Sequence, residues 1–544
     1  MATDADPQFT TIPACLQAAA VDAAAVEAVV DGELRLTYAQ LAAEVTRFAR
    51  ALVASGLQPG DRAAIWAPNS ARWIIAALGI VTAGGILVPV NTRFKGEEAR
   101  YAIGRVRAKL VVLDNGFLGN DYLAMLRGDD PRQPTADLPV PALPHLRTVV
   151  TLDATDDPVA VAFDDFVASG AAVPAEEVDR RVARLRPEDV SDILFTSGTT
   201  GYPKGAMITH GANMRVNRAW ADMVGLRRED RYLLVNPFFH SFGYRAGILA
   251  CLIRRATMVP MAVFDVERTL ALIERERITV FPGAPTVYTS LLDSPRLREY
   301  DLSSVRLAVT GATIVPVPLL ERMRRDLGFE TVITAYGLTE SCGTATVCPP
   351  DTDAHRLSTS CGKAIPGTEV AIMDSRGRLL PPGETGEVVI RGYNVMLGYF
   401  EDPEATAEAI DAEGWLHTGD VGWLDEEGYL RITDRLKDMF VVGGFNVYPA
   451  EVERLITEHP AVADVAVIGV PDERMGEVGH AFVQPKRGCA LTPEELIAFC
   501  REKMANYKVP RKVSIVDEFP RTPSGKIQKF RLRELVGRDQ EPRH

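Results

Sequence analysis

Between residues 35 and 370, stretches with helical spacing of apolar positions alternate with short β-rich runs. Among these runs are Val111 to Leu113, Ile193 to Phe195, Tyr232 to Val235 and Thr279 to Phe281. The alternation predicts βα units around largely parallel sheets. The longest uncharged run, Trp73 to Val90, contains Gly79, Gly84, Gly85 and Pro89. Gly84-Gly85 divides it into a helix-like half and the strand-like Ile-Leu-Val-Pro-Val, so a buried helix, a turn and a strand are expected rather than a membrane span. Pro131, Pro134, Pro139, Pro141 and Pro144 crowd the segment Gly128 to Pro144, which predicts a surface loop because αβ patterning resumes after it.

The last hundred or so residues carry a different pattern. Pro449 opens a predicted helix with Val452, Leu455 and Ile456 on one face, followed by strands at Asp464 to Val470 and Ala481 to Val483. Thr492, Pro493 and Glu495 form a capping box with proline at the first helical position. These elements make a small α+β unit. The charged stretch Thr-Asp-Arg-Leu-Lys-Asp lies between two apolar strands and predicts a domain boundary near Asp434 to Asp438.

Composition narrows the class. The chain has 544 residues, 47% hydrophobic and 24% charged, as expected of a globular protein of several domain-sized units. Its net charge of −13 provides no global positive field for nucleic acid or an anionic membrane. Seven cysteines without a Cys-x-x-Cys pair predict reduced thiols and a cytoplasmic location. The acidic start, Met-Ala-Thr-Asp-Ala-Asp-Pro, is not that of a signal peptide.

The strongest chemical signal follows Asp192-Ile-Leu-Phe195. It is the loop Thr196-Ser197-Gly198-Thr199-Thr200-Gly201-Tyr202-Pro203-Lys204-Gly205. Glycines let backbone amides approach an anion, hydroxyls donate further hydrogen bonds, and lysine offsets charge, which suits a triphosphate. The spacing is not that of a P-loop, and on composition alone a Ser/Thr/Gly loop is more often a flexible connection than a phosphate site.

This loop closely resembles the phosphate loop of the adenylate-forming superfamily. Further signatures occur in the family order: Asn236-Pro-Phe-Phe-His240-Ser-Phe-Gly243, Thr310-Gly-Ala-Thr313, Tyr336-Gly-Leu-Thr-Glu340, Gly414-Trp-Leu-His-Thr-Gly-Asp420, Asp434-Arg-Leu-Lys-Asp438, Gly443-Gly-Phe-Asn-Val-Tyr-Pro449 and Pro520-Arg-Thr-Pro-Ser-Gly-Lys526. The resemblance implies an α/β N-terminal domain over residues 1–434, with parallel-type sheets sandwiched by helices. A hinge at 435–438 and a small mobile α+β C-terminal domain over 439–544 would follow. It also implies ATP, Mg²⁺ and CoA as cosubstrates and cofactor: a carboxylate attacks the α-phosphate of ATP, pyrophosphate leaves, and a nucleophile then displaces AMP.

The resemblance also assigns roles. Thr196, Ser197, Gly198, Thr199, Thr200, Gly201 and Lys204 would hold the phosphates. Tyr336 would stack on adenine beside Gly337, Thr339 would bond the α-phosphate, and Glu340 would hold Mg²⁺, an oxygen-seeking ion. Asp420 and Arg435 would bond the ribose. His417, three residues before Asp420, belongs to the same motif, which accounts for it without a metal. Lys526 would bridge carboxylate and phosphate as charge develops. Lys437 would be the hinge on which Lys526 withdraws and Gly443-Gly444 are presented to the acceptor. His240 would gate the acyl pocket, walled by Phe242, Gly243, Tyr244, Thr310, Gly311, Ala312, Thr313, Gly337 and Leu338. Small groups at Gly311, Ala312 and Gly337 suggest room for a bulky acid. Arg245 is expected on a solvated helix face.

Within the superfamily the chain is most similar to bacterial fatty-acyl-CoA synthetases of the steroid-degradation type, which activate a hydrindane-dione propionate. Ser241 and Arg245 stand where that type carries Asn and Lys. The nearest rival is an amide ligase sharing the first half-reaction. Only 18 residues follow Lys526, so a carrier protein is expected to act in trans. Other partners considered are a second copy of the chain and a protein lysine acetyltransferase, which would remove the Lys526 charge.

Overall fold

The computed structural model describes residues 9–128, 140, 142–196, 202–311, 315, 317–435, 440–447, 449–520, 527 and 529–539. The chain divides into two compact units. Unit 1 comprises Met1–Thr92, Ala99–Phe195 and Gly205–Asp434; unit 2 comprises Arg93–Glu98, Thr196–Lys204 and Arg435–His544.

Unit 1 is built on two large sheets. In the eight-stranded sheet, Arg62–Trp66 is the central strand, flanked in parallel by Ile86–Pro89 and Leu110–Leu113; Val190–Thr196 follows beyond the former. The antiparallel strand Gly398–Tyr399 closes the edge against Lys204–Thr209. The nine-stranded sheet runs parallel through Thr257–Pro260, Arg231–Leu234, Val280–Pro282, Leu307–Gly311 and Thr331–Tyr336, with antiparallel edges. Runs such as Leu110–Leu113 are buried at every position, as strands covered on both faces must be. Each β-rich run read from the sequence forms a strand at its expected place.

The run Trp73 to Val90 also forms as expected, with a helix over Ala71–Thr82 and a strand over Ile86–Pro89. Every residue of that helix except Arg72 is buried. Gly79 shows why: a Cβ there would lie 2.7 Å from Phe48 Cδ1 on the neighbouring helix Tyr38–Ala54, so the glycine sets how closely the two helices approach. Among the described residues, no helix is long and apolar enough to cross a membrane.

The largely parallel sheets expected over residues 35 to 370 are present, and a further sheet follows them. Thr368–Met373, Gly386–Gly392, Leu416–Leu424 and Leu430–Arg435 form a separate four-stranded sheet whose described pairings are antiparallel. No helix lies between Thr368–Met373 and Gly386–Gly392, whereas the connection from Gly392 to Leu416 carries the strand Gly398–Tyr399 and the helix Pro403–Ala409. This sheet carries Asp420.

Unit 2 holds a sheet in which the long strands Val462–Asp472 and Gly476–Pro485 pair antiparallel and Lys512–Ile515 adds in parallel. The expected helices cover it at Pro449–Thr457 and Pro493–Lys503, the latter started by the Thr492–Glu495 capping box. The five residues Cys15, Cys251, Cys342, Cys348 and Cys500 are buried, and none of the seven cysteines forms a disulfide among the described residues. Most of the proline-rich loop lies outside the described residues.

Candidate active site

Two parallel strands create the site in unit 1. Leu307–Gly311 and Thr331–Tyr336 pair with Thr310 opposite Thr334 and Gly311 opposite Ala335, which brings motifs some 25 residues apart in sequence to the carboxyl edge of one sheet, where open α/β folds bind ligands. Thr310 is 1% exposed, and its hydroxyl has no hydrogen-bond partner among the described residues.

Tyr336 is half-buried, and its hydroxyl donates to Asp420 Oδ2 at 2.7 Å. Asp420 is 5% exposed and sits in the strand Leu416–Leu424 of the antiparallel sheet. Tertiary folding thus joins two motifs from different sheets. Burial, reinforced by the Asp420 carboxylate, pushes the Tyr336 phenol well above its ordinary value, so it remains a donor at neutral pH. His417 lies between two carboxylates, with Nδ1 2.9 Å from Glu387 Oε2 and Nε2 3.5 Å from Asp411 Oδ2. Glu387 Oε1 accepts from the Gly419 amide, which steadies the turn before Asp420.

After Tyr336 the chain enters a short 3₁₀ turn, Thr339–Ser341. Ser341 Oγ accepts from the Leu338 amide at 2.9 Å, and the Gly343 amide donates to the Leu338 carbonyl. Glu340 projects from this turn, and its Oε1 accepts from the Tyr399 hydroxyl at 2.8 Å. Tyr399 in turn pairs with Ala206 on the strand leaving the phosphate loop. At the base of that loop, Thr196 Oγ1 lies 3.5 Å from the Lys204 carbonyl. Ser197, Gly198, Thr199, Thr200 and Gly201 lie outside the described residues, as do Ala312, Thr313, Lys437 and Lys526. Arg435 ends the strand Leu430–Arg435.

The glycines of the presumed pocket do not leave space. A Cβ on Gly337 would fall 2.6 Å from the Gly343 carbonyl oxygen, and one on Gly243 would fall 2.3 Å from the Pro237 carbonyl oxygen. At Gly311 the nearest atom, the Ala335 carbonyl oxygen, is at 3.2 Å. Gly337 therefore does not give the room for a bulky acid expected from the sequence, because backbone already occupies the volume. Phe242 is half-buried and meets Trp220 edge to face at 6.3 Å, while Leu338 is half-buried. Tyr244 is fully buried against Trp73 at 6.0 Å, its hydroxyl without a partner among the described residues.

His240 precedes the short helix Ser241–Gly243 and caps it, Nδ1 accepting from the Phe242 amide at 3.2 Å. Its side chain is open to solvent, yet dense surrounding protein and then the Arg245 charge lower its basicity, to about 4. The neutral imidazole is favoured.

Arg245 is the clearest departure from expectation. It is 1% exposed rather than solvated, and its Nη2 donates to buried Asp192 Oδ1 at 2.6 Å. The segment Tyr244–Leu249 is a π-helix buried throughout, so it offers Arg245 no solvated face.

In unit 2, Gly443 and Gly444 adopt φ of 55° and 87°. They link the strands Phe440–Val442 and Phe445–Val447, with Val442 opposite Phe445. Two successive positive φ values match a tight hairpin turn of the kind that demands glycine.

Residues 16–400 match the AMP-binding enzyme pattern and 451–526 match the C-terminal domain of AMP-binding enzymes. The chain belongs to the AMP-binding enzyme family. The 7a-methyl-1,5-dioxo-octahydroindenyl propanoyl:CoA ligase of Rhodococcus jostii is 50% identical over 97% of this chain and 99% of its own length. A ligase of the same name from Mycobacterium tuberculosis is 47% identical over 96% and 99%. Among solved structures, the amide bond synthetase McbA of Marinactinospora thermotolerans superposes with a TM-score of 0.81 at 31% identity, covering 96% of this chain and 99% of its own.

Sequence reading missed Asp192, Asn213 and Tyr399. The signal for Asp192 was a carboxylate beginning an otherwise apolar strand run. Tyr399 carried none, because its partner Glu340 lies 59 residues away.

Proposed function

We propose that this AMP-binding enzyme is an acid:CoA ligase that activates a bicyclic, hydrindane-type propionate or a fatty acid of similar bulk. The observation that carries the reading is the 50% identity, over nearly both full lengths, to a propanoyl:CoA ligase acting on an indane-derived acid. A carboxylate oxygen of the acid attacks the α-phosphorus of ATP, the bond to pyrophosphate breaks, and an acyl-adenylate forms. The CoA thiolate then attacks the acyl carbonyl and AMP leaves.

In this reading the Tyr336 ring packs on adenine, Asp420 and Arg435 accept and donate to the ribose, and Thr339 bonds the α-phosphate. Ser197, Gly198, Thr199, Thr200, Gly201 and Lys204 bind the remaining phosphates. The oxygen donors Glu340 and Thr339 suit Mg²⁺, and among the described residues no cluster of three His, Cys, Asp or Glu offers a separate site. Glu340, with Thr339, would hold a Mg²⁺ carried in with ATP, and that ion would offset phosphate charge. Lys526 stabilises charge during adenylation, Lys437 is the hinge, and Gly443 and Gly444 serve the second step. His240, kept neutral, borders the acid together with Phe242, Thr310, Thr313 and Leu338. Acetylation of Lys526 by a lysine acetyltransferase would silence the first step, and the acetylated enzyme should still consume supplied acyl-adenylate.

Product analysis by mass spectrometry tests the proposal. The enzyme is supplied with ATP, Mg²⁺ and fatty, aryl or hydrindane acids, each with CoA, an amino acid or neither. A CoA-dependent thioester is expected. Likeness to an amide bond synthetase makes the amide the informative alternative: adenylate without thioester, but amide when an amine is present, would overturn CoA as acceptor.

A further inference from the structure

A buried polar assembly in unit 1 touches no substrate in the proposed reaction. Its centre is Asp192, fully buried in the strand before the phosphate loop. Asp192 Oδ1 accepts from Arg245 Nη2 at 2.6 Å, and Oδ2 accepts from Asn213 Nδ2 at 2.5 Å and Ser191 Oγ at 2.9 Å. Asn213 comes from the helix His210–Met223 and Arg245 from the π-helix, so three elements meet at one carboxylate.

Two arms leave this centre, and both end on the same turn. Arg245 Nη1 donates to the Thr339 carbonyl at 3.3 Å. Asn213 Oδ1 accepts from the Cys342 thiol at 3.4 Å. Thr339 and Cys342 bracket Glu340. Cys342 has φ 56°, a left-handed conformation that a side-chain-bearing residue keeps only when its surroundings hold it. The buried Arg245 Nε has no partner among the described residues: the guanidinium uses its two terminal nitrogens to span from Asp192 to Thr339, a reach a point charge could not divide.

A buried ion pair is weak support for stability alone, and this one is shaped as a linkage. We propose that Asp192, Asn213 and Arg245 form a clamp that positions the Thr339–Cys342 turn, and hence Glu340, for the divalent cation that accompanies ATP. They are positioning residues, acting through the turn. The inference rests on the assignment of Glu340 above.

The test compares full-length wild-type enzyme with Glu340→Gln, Arg245→Met, the charge-neutral pair Asp192→Asn/Arg245→Met, and Cys342→Ala. Three quantities are read: the thermal midpoint, the affinity for Mn²⁺ in the presence of a non-hydrolysable ATP analogue by water-proton relaxation, and the KM for CoA with supplied acyl-adenylate. Arg245→Met should melt early because it strands a buried carboxylate. The charge-neutral pair should regain most of the midpoint yet bind Mn²⁺ about fivefold or more weakly, as expected for losing a contact worth one hydrogen bond. Cys342→Ala should shift Mn²⁺ affinity in the same direction near the wild-type midpoint, and it carries the comparison if the pair fails to fold. The KM for CoA should not move. Wild-type Mn²⁺ affinity in the folded clamp variants, with Glu340→Gln impaired, would overturn the clamp alone. Wild-type affinity in Glu340→Gln would overturn the Glu340 assignment and the clamp with it.

Discussion

Tyr336→Phe isolates one atom of the site. It keeps the ring proposed to stack on adenine and removes the hydroxyl that donates to Asp420 Oδ2 at 2.7 Å. Asp420 is 5% exposed, so solvent replaces the lost donor poorly. A hydrogen bond to a charged group contributes about 1.5–3 kcal/mol. Tyr336 is itself half-buried, so water entering beside the shortened ring recovers part of this, and a loss of about 1–2 kcal/mol in AMP binding is expected, roughly 5- to 30-fold in Kd. Calorimetric titration with AMP, without metal or acid, measures it directly. Both proteins should show the same thermal midpoint within a few degrees. Because burial and Asp420 raise the phenol's pKa in the fold, the protonated form is favoured, and this group's contribution to stability is full below pH about 10 and lost only as pH rises further. The ratio of wild-type to variant affinity should therefore be flat from pH 6 to about 9. An unchanged Kd for AMP would refute the inference that Tyr336 holds the carboxylate proposed to bind the ribose.

Four other substitutions have expected outcomes of their own. His210 is 1% exposed and accepts from the Ile12 amide through Nδ1, and burial lowers its pKa to about 4. With the folded value below the unfolded one, its contribution is full above pH about 6.5 and lost as pH falls through 4, on the order of 3 kcal/mol; replacing it with glutamine should flatten acid unfolding in that window, and an unchanged profile would count against the assignment. Gly337→Ala would push a methyl group against the Gly343 carbonyl, costing about 1–3 kcal/mol as overpacking and slowing adenylation; a variant with wild-type rate and melting would show that the turn yields freely. Lys526→Ala should lower adenylate formation far more than use of supplied adenylate. Gly444→Leu should do the reverse, with some loss of stability because φ there is 87° and a left-handed residue costs about 1–2 kcal/mol. Equal effects on both half-reactions would sink the division of roles.

Much was legible because it is local. A capping box such as Thr492 to Glu495 lies within one turn of chain, and the buried helix, turn and strand from Trp73 to Val90 follow from residues that neighbour each other. The motif order from the phosphate loop to Lys526 was equally plain, since each motif is a short contiguous string. What the sequence reading misplaced was Arg245, because its segment is buried throughout and its charge is met inside by Asp192. Glycine composition also misled: Gly337 looked like space for substrate, whereas close backbone accounts for it.

The sequence by itself determined the family, the βα alternation, the residue types offered to nucleotide and acid, and a separate α+β segment after the charged stretch near 434–438. The tertiary structure alone decided which of these groups meet. Tyr336 finds Asp420 across two sheets, Glu340 finds Tyr399 on the edge strand beside the phosphate loop, and Asp192 gathers Asn213 and Arg245 behind the Thr339–Cys342 turn. Those pairings span 84, 59, 21 and 53 residues. They depend on strand register and on the burial of polar groups, which must be satisfied wherever the packing of apolar faces leaves them.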